Sequence, residues 1–477
     1  MKKTMLWLLV AVACAACGSR TPDAATVLDN VSSALGVAEL RSVQYSATGY
    51  VSTTGQSYMP DGPGPKFNAQ YTRQANYERG IARDETVRTA HEDPPRGAGG
   101  QPLYREARGV AIRRADDALG TDALALTTPH GWVRAARAAS PVASAGTLDG
   151  RPVTVIEFTV DAKHPMNGYV NAENLLERIE TLVHEEVVGD TPVVTTFADY
   201  QAFDGVRFPT RIVQTKGGFP TFEFTITDVR PNAAEDLDVP ARPAPQEQRV
   251  EPQQFAPGVW YLGGGGVNST LVEFDDFVAV VETGQNLARA RATIAAVRKM
   301  TSKPIVQVNS HHHSDHWAGL REWISEGATI VTHEMNRDLY EQVLKQPYTL
   351  APDALAANPQ PAKFEYVRDR HVLTDGKRTM EIHWIEGNLH APNMLMSYLP
   401  AEKLLIVTDI FNMFYEPRPN DPPPGFASPY TMNLWENIQR LKLEVQHIAP
   451  GHGREVVPAS ELRQKVVGLK VLNPTVE

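Results

Sequence analysis

The chain has almost no cysteine, with only Cys14 and Cys17 among 477 residues. Because both precede residue 18, the rest of the chain can form no disulfide and offers no thiolate ligand to a metal ion. Any metal site in the body of the protein must therefore be built from histidine and carboxylate side chains.

The chain also lacks an excess of positive charge, since its formal net charge is −10 at pH 7. It has no basic stripe, and a nucleic-acid partner would require one to neutralise the phosphate backbone. Nucleic acid is therefore excluded as a partner, and a small-molecule substrate is expected. The length predicts two or three folded units, because single cores stop growing beyond about 250–300 residues.

No apolar run near the amino terminus is long enough to be a spanning helix with normal flanks. Lys2 and Lys3 precede a short apolar segment, residues 5–13, which is typical of a secretory signal. Residues 14–19 resemble a bacterial lipobox, which implies that residues 1–17 are a signal peptide and that Cys17 carries a lipid anchor. Cys14 is an alternative anchor, and ordinary cleavage of the leader is another. Because no Asp follows Cys17, the resemblance implies an exported, periplasm-facing lipoprotein of the outer membrane.

Residues 18–231 are predicted to form a mainly antiparallel β domain. A short amphipathic helix is expected at 24–36, and helical stretches near 121–140. Period-two alternation at 153–160 and 221–226 predicts strands. Residues 203–209 resemble lipoprotein-carrier-like periplasmic domains, which implies a lipid or another envelope partner for this domain.

A change of composition separates this region from the rest. Residues 232–256 are rich in Pro, Ala, Glu and Gln, which indicates a linker. From 257 to 477, apolar strands alternate with helical stretches, which predicts an α/β domain. The glycine run at 263–266 lacks the Lys-Ser/Thr of a phosphate-binding loop, so a connection between strands is expected.

The strongest signal is the histidine motif, residues 311–316, which reads His-His-His-Ser-Asp-His. It follows a predicted strand at 304–308 and precedes a predicted helix at 317–324, so it lies where α/β folds place their sites. His311 and His313 can converge on one ion, while Asp315 and His316 face a second. His312 is interpreted as a spacer.

Three further polar residues each follow an apolar strand. His390 follows the predicted strand 379–386, Asp409 follows 404–408, and His452 follows 445–448 within Pro-Gly-His-Gly. Strands of one sheet layer can bring such residues to a common rim. Imidazole and carboxylate are ligands that suit divalent zinc.

Together these motifs resemble the metallo-β-lactamase superfamily over about residues 257–460. The resemblance implies an αββα sandwich and a hydrolase that uses two zinc ions. His311, His313 and His390 would hold the first ion, Asp315, His316 and His452 the second, and Asp409 would bridge both. Thr408 and Ala391 depart from the common pattern, without removing a ligand. Whether the native metal is zinc, iron or manganese stays open.

The chemistry follows from the metal pair. Two zinc ions that share a water lower its pKa from about 16 to about 7, which makes a bridging hydroxide available for attack on a carbonyl or phosphoryl centre. Asp315 and Asp409 would offset positive charge and orient the nucleophile, and Asp315 is the predicted catalytic residue.

The substrate is less defined. Lactone, ester or thioester hydrolysis ranks first, because Asp409 and the lack of a thiolate resemble members with these activities. β-Lactam hydrolysis ranks second and phosphodiester hydrolysis third. A different class of function is an envelope binding or scaffold lipoprotein with a non-catalytic metal domain. Residues 411–425 would form either a wall facing the substrate or a plain loop.

Overall fold

The computed structural model describes residues 23–91, 98–114, 128–234, 237–242, 244, 247–414 and 416–472. The predicted leader, with Cys14 and Cys17, lies outside these residues. Within the described ranges, no helix has both the length and the apolar character needed to cross a bilayer.

The amino-terminal region is a single antiparallel sheet of eleven strands, as far as the described residues go. Its order is β4-β3-β2-β1-β11-β10-β9-β8-β7-β6-β5, so almost every neighbour is also a neighbour along the chain. The predicted antiparallel β domain is therefore confirmed. The strands are β1 (Ser42–Ser52), β2 (Lys66–Asn76), β3 (Ile81–Ala90), β4 (Ala107–Arg114), β5 (Val142–Leu148), β6 (Arg151–Val160), β7 (His164–Val170), β8 (Leu176–Glu185), β9 (Gly189–Phe203), β10 (Val206–Lys216) and β11 (Phe219–Pro231).

Two helices cover one face of this sheet, α1 (Ala24–Leu35) and α2 (Pro129–Ala138). The Asp23 carboxylate caps α1 by accepting the Thr26 backbone N–H, and Gly36 ends it at φ +70°. Of the helical stretch expected near 121–140, residues 121–127 lie outside the described residues. The apolar faces of both helices pack onto the sheet, and Trp132 is fully buried.

The carboxy-terminal region contains two facing sheets with helices on both outer sides. The seven-stranded sheet has β12 (Glu251–Ala256), β13 (Val259–Gly263), β14 (Ser269–Glu273), β15 (Val278–Val281), β16 (Ile305–Val308), β17 (Thr329–His333) and β18 (Lys363–Val367), in that order. The six-stranded sheet has the order β19-β20-β21-β22-β24-β25. Its strands are β19 (Arg370–Thr374), β20 (Thr379–Trp384), β21 (Leu395–Leu399), β22 (Leu404–Val407), β24 (His447–Pro450) and β25 (Val457–Pro458), while β23 (Phe426–Ala427) pairs with β26 (Lys470–Val471).

The helices complete the predicted αββα sandwich. They are α3 (Leu287–Met300), α4 (Ser314–Trp317), α5 (Leu320–Ser325), α6 (Arg337–Val343), α7 (Ala354–Ala357), α8 (Pro429–Leu441) and α9 (Ser460–Val466). One apolar layer lies between the sheets, where Val272 and Ile406 belong to the same core. Two outer layers join each sheet to its own helices, one including Val297 of α3 and the other Leu434 of α8.

The structure differs from the sequence prediction at the linker. Residues 251–256, which were expected to be irregular, form the edge strand β12 and pair with β13. This strand contains Pro252 and is largely exposed, which suits an edge position and conceals the alternation of a half-buried strand. The regular structure of the carboxy-terminal domain therefore begins six residues earlier than the predicted boundary.

Candidate metal centre

The residues predicted as ligands lie at one rim of the sandwich. The histidine motif follows β16, Asp409 follows β22 and His452 follows β24, while His390 lies in the connection between β20 and β21. β22 and β24 are parallel neighbours, so their carboxyl ends meet at the same edge. The structure thus brings all seven predicted residues together, and their action as metal ligands stays a prediction.

His311, His313, His390 and Asp409 form the first ligand group. One nitrogen or oxygen of each lies within 4.8 Å of the corresponding atoms of the others. Asp409 Oδ2 is 2.8 Å from His390 Nε2, 3.3 Å from His311 Nε2 and 4.0 Å from His313 Nδ1. Three imidazoles therefore face a single carboxylate oxygen.

Asp315, His316 and His452 form the second ligand group, again with one potential ligand atom of each within 4.8 Å of the others. Asp315 Oδ2 is 3.4 Å from His316 Nε2 and 3.8 Å from His452 Nε2. Asp409 Oδ1 is 3.1 Å and 2.7 Å from the same two nitrogens. The two oxygens of Asp409 therefore face different groups, which is the arrangement a bridging carboxylate requires.

The donor atoms of this centre are suited to cations. His311 Nε2, His313 Nδ1 and His316 Nε2 are buried and have no hydrogen-bond partner among the described residues. A buried polar atom without a hydrogen-bond partner costs about 1–3 kcal/mol, so three of them around Asp409 are hard to explain without a ligand. Neutral imidazole nitrogens and carboxylates are common ligands of divalent zinc. The residues present therefore fit a metal centre.

In three of these histidines, the ring nitrogen that points away from the centre donates a hydrogen bond to an oxygen atom. His313 Nε2–H donates to the Ser57 carbonyl at 2.8 Å, His316 Nδ1–H to Glu282 Oε2 at 2.9 Å, and His452 Nδ1–H to the Gly266 carbonyl at 2.7 Å. In the neutral form of each ring, the nitrogen that faces the centre then carries the free lone pair. Such outer hydrogen bonds orient ligands and tune metal affinity.

None of these three acceptors was predicted from the sequence as part of the site. Glu282 follows the apolar strand β15, so the pattern that led to Asp409 could also have led to it. Ser57 lies in the amino-terminal domain and carries no such signal. Gly266 belongs to the predicted loop of glycines, which connects β13 with β14 and contributes only its carbonyl oxygen.

Burial and mutual charge separate the pKa values of these groups. Burial, together with the charge of His316, lowers the pKa of His311 to about 3, and burial beside other histidines lowers the pKa of His313 as well. Burial also disfavours charge on His316, but Asp409, Asp315 and Glu282 outweigh it and raise the pKa of this imidazole well above its ordinary value. His311 and His313 are therefore neutral at pH 7, whereas a cation must displace a proton from His316.

The pKa of Asp409 is shifted in the opposite direction to that expected from burial alone. Burial would raise it, but the charges of His316, His452 and His390 hold the pKa of this carboxyl well below its ordinary value. Asp409 is accordingly an anion at neutral pH. A negative carboxylate between two sets of imidazole nitrogens attracts divalent cations.

His312 lies beside the centre without joining either ligand group. Its Nδ1 is 3.0 Å from Asn393 Oδ1 and its Nε2 is 2.8 Å from the Ser57 carbonyl. The spacer interpretation therefore agrees with its position. His333 also lies outside both groups, and its Nδ1 accepts the Met335 backbone N–H.

The centre opens to solvent on the side of the second group. The side chain of Asp315 is 34% exposed and that of His452 is 15% exposed, whereas His311, His313 and His316 are fully buried. Phe414 belongs to the segment expected to form a wall or a loop. The centroid of its ring is 5.5 Å from that of the His452 ring, and the Arg418 guanidinium carbon lies 3.4 Å from the Phe414 centroid. Tyr415 lies outside the described residues.

Residues 262–452 match the sequence model of the metallo-beta-lactamase superfamily. This region of the chain is therefore a domain of that superfamily and has the metallo-β-lactamase fold. Membership of the superfamily indicates a hydrolase. It contains a His/Asp cluster that could bind metal.

Solved structures similar to the chain include the DIM-1 metallo-beta-lactamase, a metallo-beta-lactamase from Pontibacter korlensis and another from Hirschia baltica, each 17% identical to it. They cover 46%, 45% and 46% of this chain and 95%, 95% and 96% of their own, with TM-scores of 0.35, 0.35 and 0.34. No curated protein matches the chain.

Proposed function

We propose that the protein is a di-zinc hydrolase that acts on a lactone, ester or thioester carbonyl. The observation that carries this proposal is the position of Asp409, whose two oxygens face two separate groups of histidine nitrogens. His311, His313 and His390 would hold one ion, and Asp315, His316 and His452 the other, with Asp409 shared. When bound, such ions polarise the substrate oxygen and lower the pKa of a water between them to about 7.

The chain's own residues have distinct parts in this proposal. Asp409 supplies negative charge from a fixed position, because it is almost fully buried and its backbone is held at φ +58°. Asp315 is more exposed, and one of its oxygens faces His316 and His452. We assign Asp315 to the reaction because it is the carboxylate that an incoming substrate and water can reach.

The substrate class rests on chemistry at the opening. The acidic chain disfavours nucleic acid, and aromatic Phe414 beside His452 offers an apolar surface to a neutral acyl compound. β-Lactam hydrolysis is the second candidate and phosphodiester hydrolysis the third. A scaffold role is disfavoured because the structure brings a full set of seven potential ligand residues together.

The test is a panel of lactone, thioester, β-lactam and phosphodiester substrates, used with the wild type, Asp315→Ala and Asp276→Ala. Asp276 is an exposed aspartate between β14 and β15, so its variant controls for the loss of a negative charge. We expect turnover of an acyl substrate that disappears in Asp315→Ala and persists in Asp276→Ala. Elemental analysis should find about two zinc equivalents, and less than one in folded protein would refute the di-zinc assignment.

We also propose that Cys17 anchors the chain to the outer membrane on its periplasmic side, with Cys14 as the alternative. The supporting observation is the short apolar segment followed by small residues and cysteine. Metabolic labelling with a fatty acid should label the wild type and Cys14→Ala, but not Cys17→Ala. If the label persists in Cys17→Ala and disappears in Cys14→Ala, the anchor is on Cys14. If neither variant loses the label, a cysteine anchor is refuted.

A further inference from the structure

The connection between β1 and β2, residues 53–65, reaches from the amino-terminal sheet to the histidine motif. We call it the β1–β2 loop. The Ser314 backbone N–H donates to the Gly55 carbonyl at 2.8 Å. Gly55 has φ +76°, and a Cβ there would lie 2.8 Å from the Ser314 side chain. Only glycine permits this close approach, so the loop is fitted to the motif.

Gln56, the next residue of the loop, contacts a predicted metal ligand directly. Its side-chain Nε2–H donates to Asp315 Oδ1 at 2.7 Å. The other oxygen of Asp315 is the one that faces His316 and His452. The Gln56 amide therefore binds Oδ1 of Asp315, and Oδ2 stays directed at the second ligand group.

The position of Gln56 is itself fixed by a neighbouring segment of the amino-terminal domain. The Gln56 carbonyl accepts the Gly99 backbone N–H at 3.2 Å. The Gln56 side chain lies against Gly99 so closely that a Cβ at residue 99 would overlap its amide group. The amide is therefore held in one orientation between Gly99 and Asp315.

Ser57 provides the second link from the loop to the centre. Its carbonyl oxygen accepts N–H groups from His312 Nε2 and His313 Nε2, both at 2.8 Å. An imidazole that donates through Nε2 presents a free lone pair at Nδ1 when neutral. The Ser57 carbonyl thus sets the His313 tautomer that directs Nδ1 at Asp409.

We propose that the amino-terminal domain completes the metal centre, with Gln56 and the Ser57 carbonyl as positioning groups. Gln56 orients Asp315 toward the second ion, and Ser57 orients His313 toward the first. This inference rests on the metal centre proposed above. Outer hydrogen-bond partners of this kind typically change metal affinity by about 10–100-fold.

The test compares metal binding by the full chain and by Gln56→Met, which keeps the length of the side chain but cannot donate. Zinc affinities are measured by competition with a chromophoric chelator, and the ligand field is recorded with cobalt(II) in place of zinc. We expect the second equivalent to bind about 10–100-fold more weakly, with an altered cobalt spectrum. The first equivalent and the melting temperature of the metal-free protein should hardly change.

Two further variants separate positioning from a general loss of structure. Gly99→Ala displaces Gln56 without altering its chemistry, and we expect it to weaken the same equivalent. Gln74→Met removes a glutamine amide that donates to Gln44 Oε1 within the same sheet, away from the centre. This control should bind both equivalents as the wild type does.

The outcomes distinguish the positioning role of Gln56 from a role in folding and from the proposed function itself. Unchanged binding and an unchanged cobalt spectrum in Gln56→Met would overturn the inference while leaving the proposed function intact. Equal weakening of both equivalents with a lower melting temperature of the metal-free protein would also overturn it, because the loop would then serve folding alone. If the wild type binds no metal, the proposed function fails first, and the inference fails with it.

Discussion

The two ligand groups of the metal centre differ in burial. The first group is nearly closed to solvent, and its histidines extend from the interior of the sandwich. The second includes Asp315 and His452, which solvent reaches. The amino-terminal domain contacts both groups, through Ser57 at His313 and through Gln56 at Asp315. One half of the centre is therefore protected from solvent, while the other is accessible to substrate and water.

The largest effect should come from the residue that the groups share. Asp409→Ala removes a carboxylate from both, so we expect it to bind neither ion tightly. Activity should fall by more than about 100-fold, because loss of even a residue that only hydrogen-bonds a ligand lowers metal affinity or activity by about 10–100-fold. Elemental analysis and turnover measure these losses, with Asp276→Ala as the control. A variant that keeps one tight equivalent would show that Asp409 serves a single group.

The next effect separates the groups. His390→Ala should remove the tighter equivalent, because His390 belongs to the buried group, and His452→Ala should remove the weaker one. Buried ligands are less able to relax toward water, which favours retention of the ion. Stepwise zinc titrations of both variants measure this. If His452→Ala lost the tighter equivalent, the comparison between the groups would be reversed.

A smaller effect should follow from Glu282→Gln. Glu282 is buried and accepts the His316 Nδ1–H, so the amide preserves the shape but removes the charge. We expect about 10–100-fold weaker binding of the second equivalent and little change in the first. Chelator competition is the measurement, and Glu273→Gln, a partly exposed carboxylate on β14, is the control. Equal losses in both variants would argue against a specific role for Glu282.

The smallest effect concerns pH. The pKa of His311 in the folded chain is about 3, below the value of about 6.5 expected when unfolded. The unfolded state therefore takes up a proton first, and stability is lost as pH falls below about 6.5, by up to about 1.4 kcal/mol per pH unit. The raised pKa of His316 acts oppositely, since its contribution is complete below that pH and is lost at higher pH.

This difference can be measured by urea unfolding of the metal-free protein from pH 5 to well above pH 7. His311→Ala should flatten the loss of stability on the acid side. His316→Ala should leave the acid-side loss in place and remove the decline toward higher pH. The same pH dependence in both variants would contradict opposite pKa shifts in the two groups.

Much of the fold was predictable because its signals are local. Residues 24–36 carry a capping aspartate just ahead and a terminal glycine, and the structure contains that helix. The αββα sandwich was implied by a family resemblance, which rests on the order of the motifs that contain His390, Asp409 and His452. The edge strand β12 was missed because an exposed strand with a proline lacks an alternating pattern.

The supports of the candidate centre were less predictable. Glu282 carried a usable signal, since it is a carboxylate directly after an apolar strand. Gln56 and Ser57 did not, because they lie more than 250 residues from the ligands that they contact. Their positions depend on how two domains pack against each other, and no local pattern encodes that packing.

The contact between Gln56 and Asp315 has a consequence for the maturation of the protein. The centre collects groups from residue 55 to residue 452, so it cannot be complete until both domains are folded and docked. Domains generally fold in order of synthesis, the amino-terminal one first. The amino-terminal sheet would then be folded before the segments that contain the ligand histidines are synthesised. If the amino-terminal domain completes the centre as proposed, full loading with metal is a late step that follows the docking of the two domains.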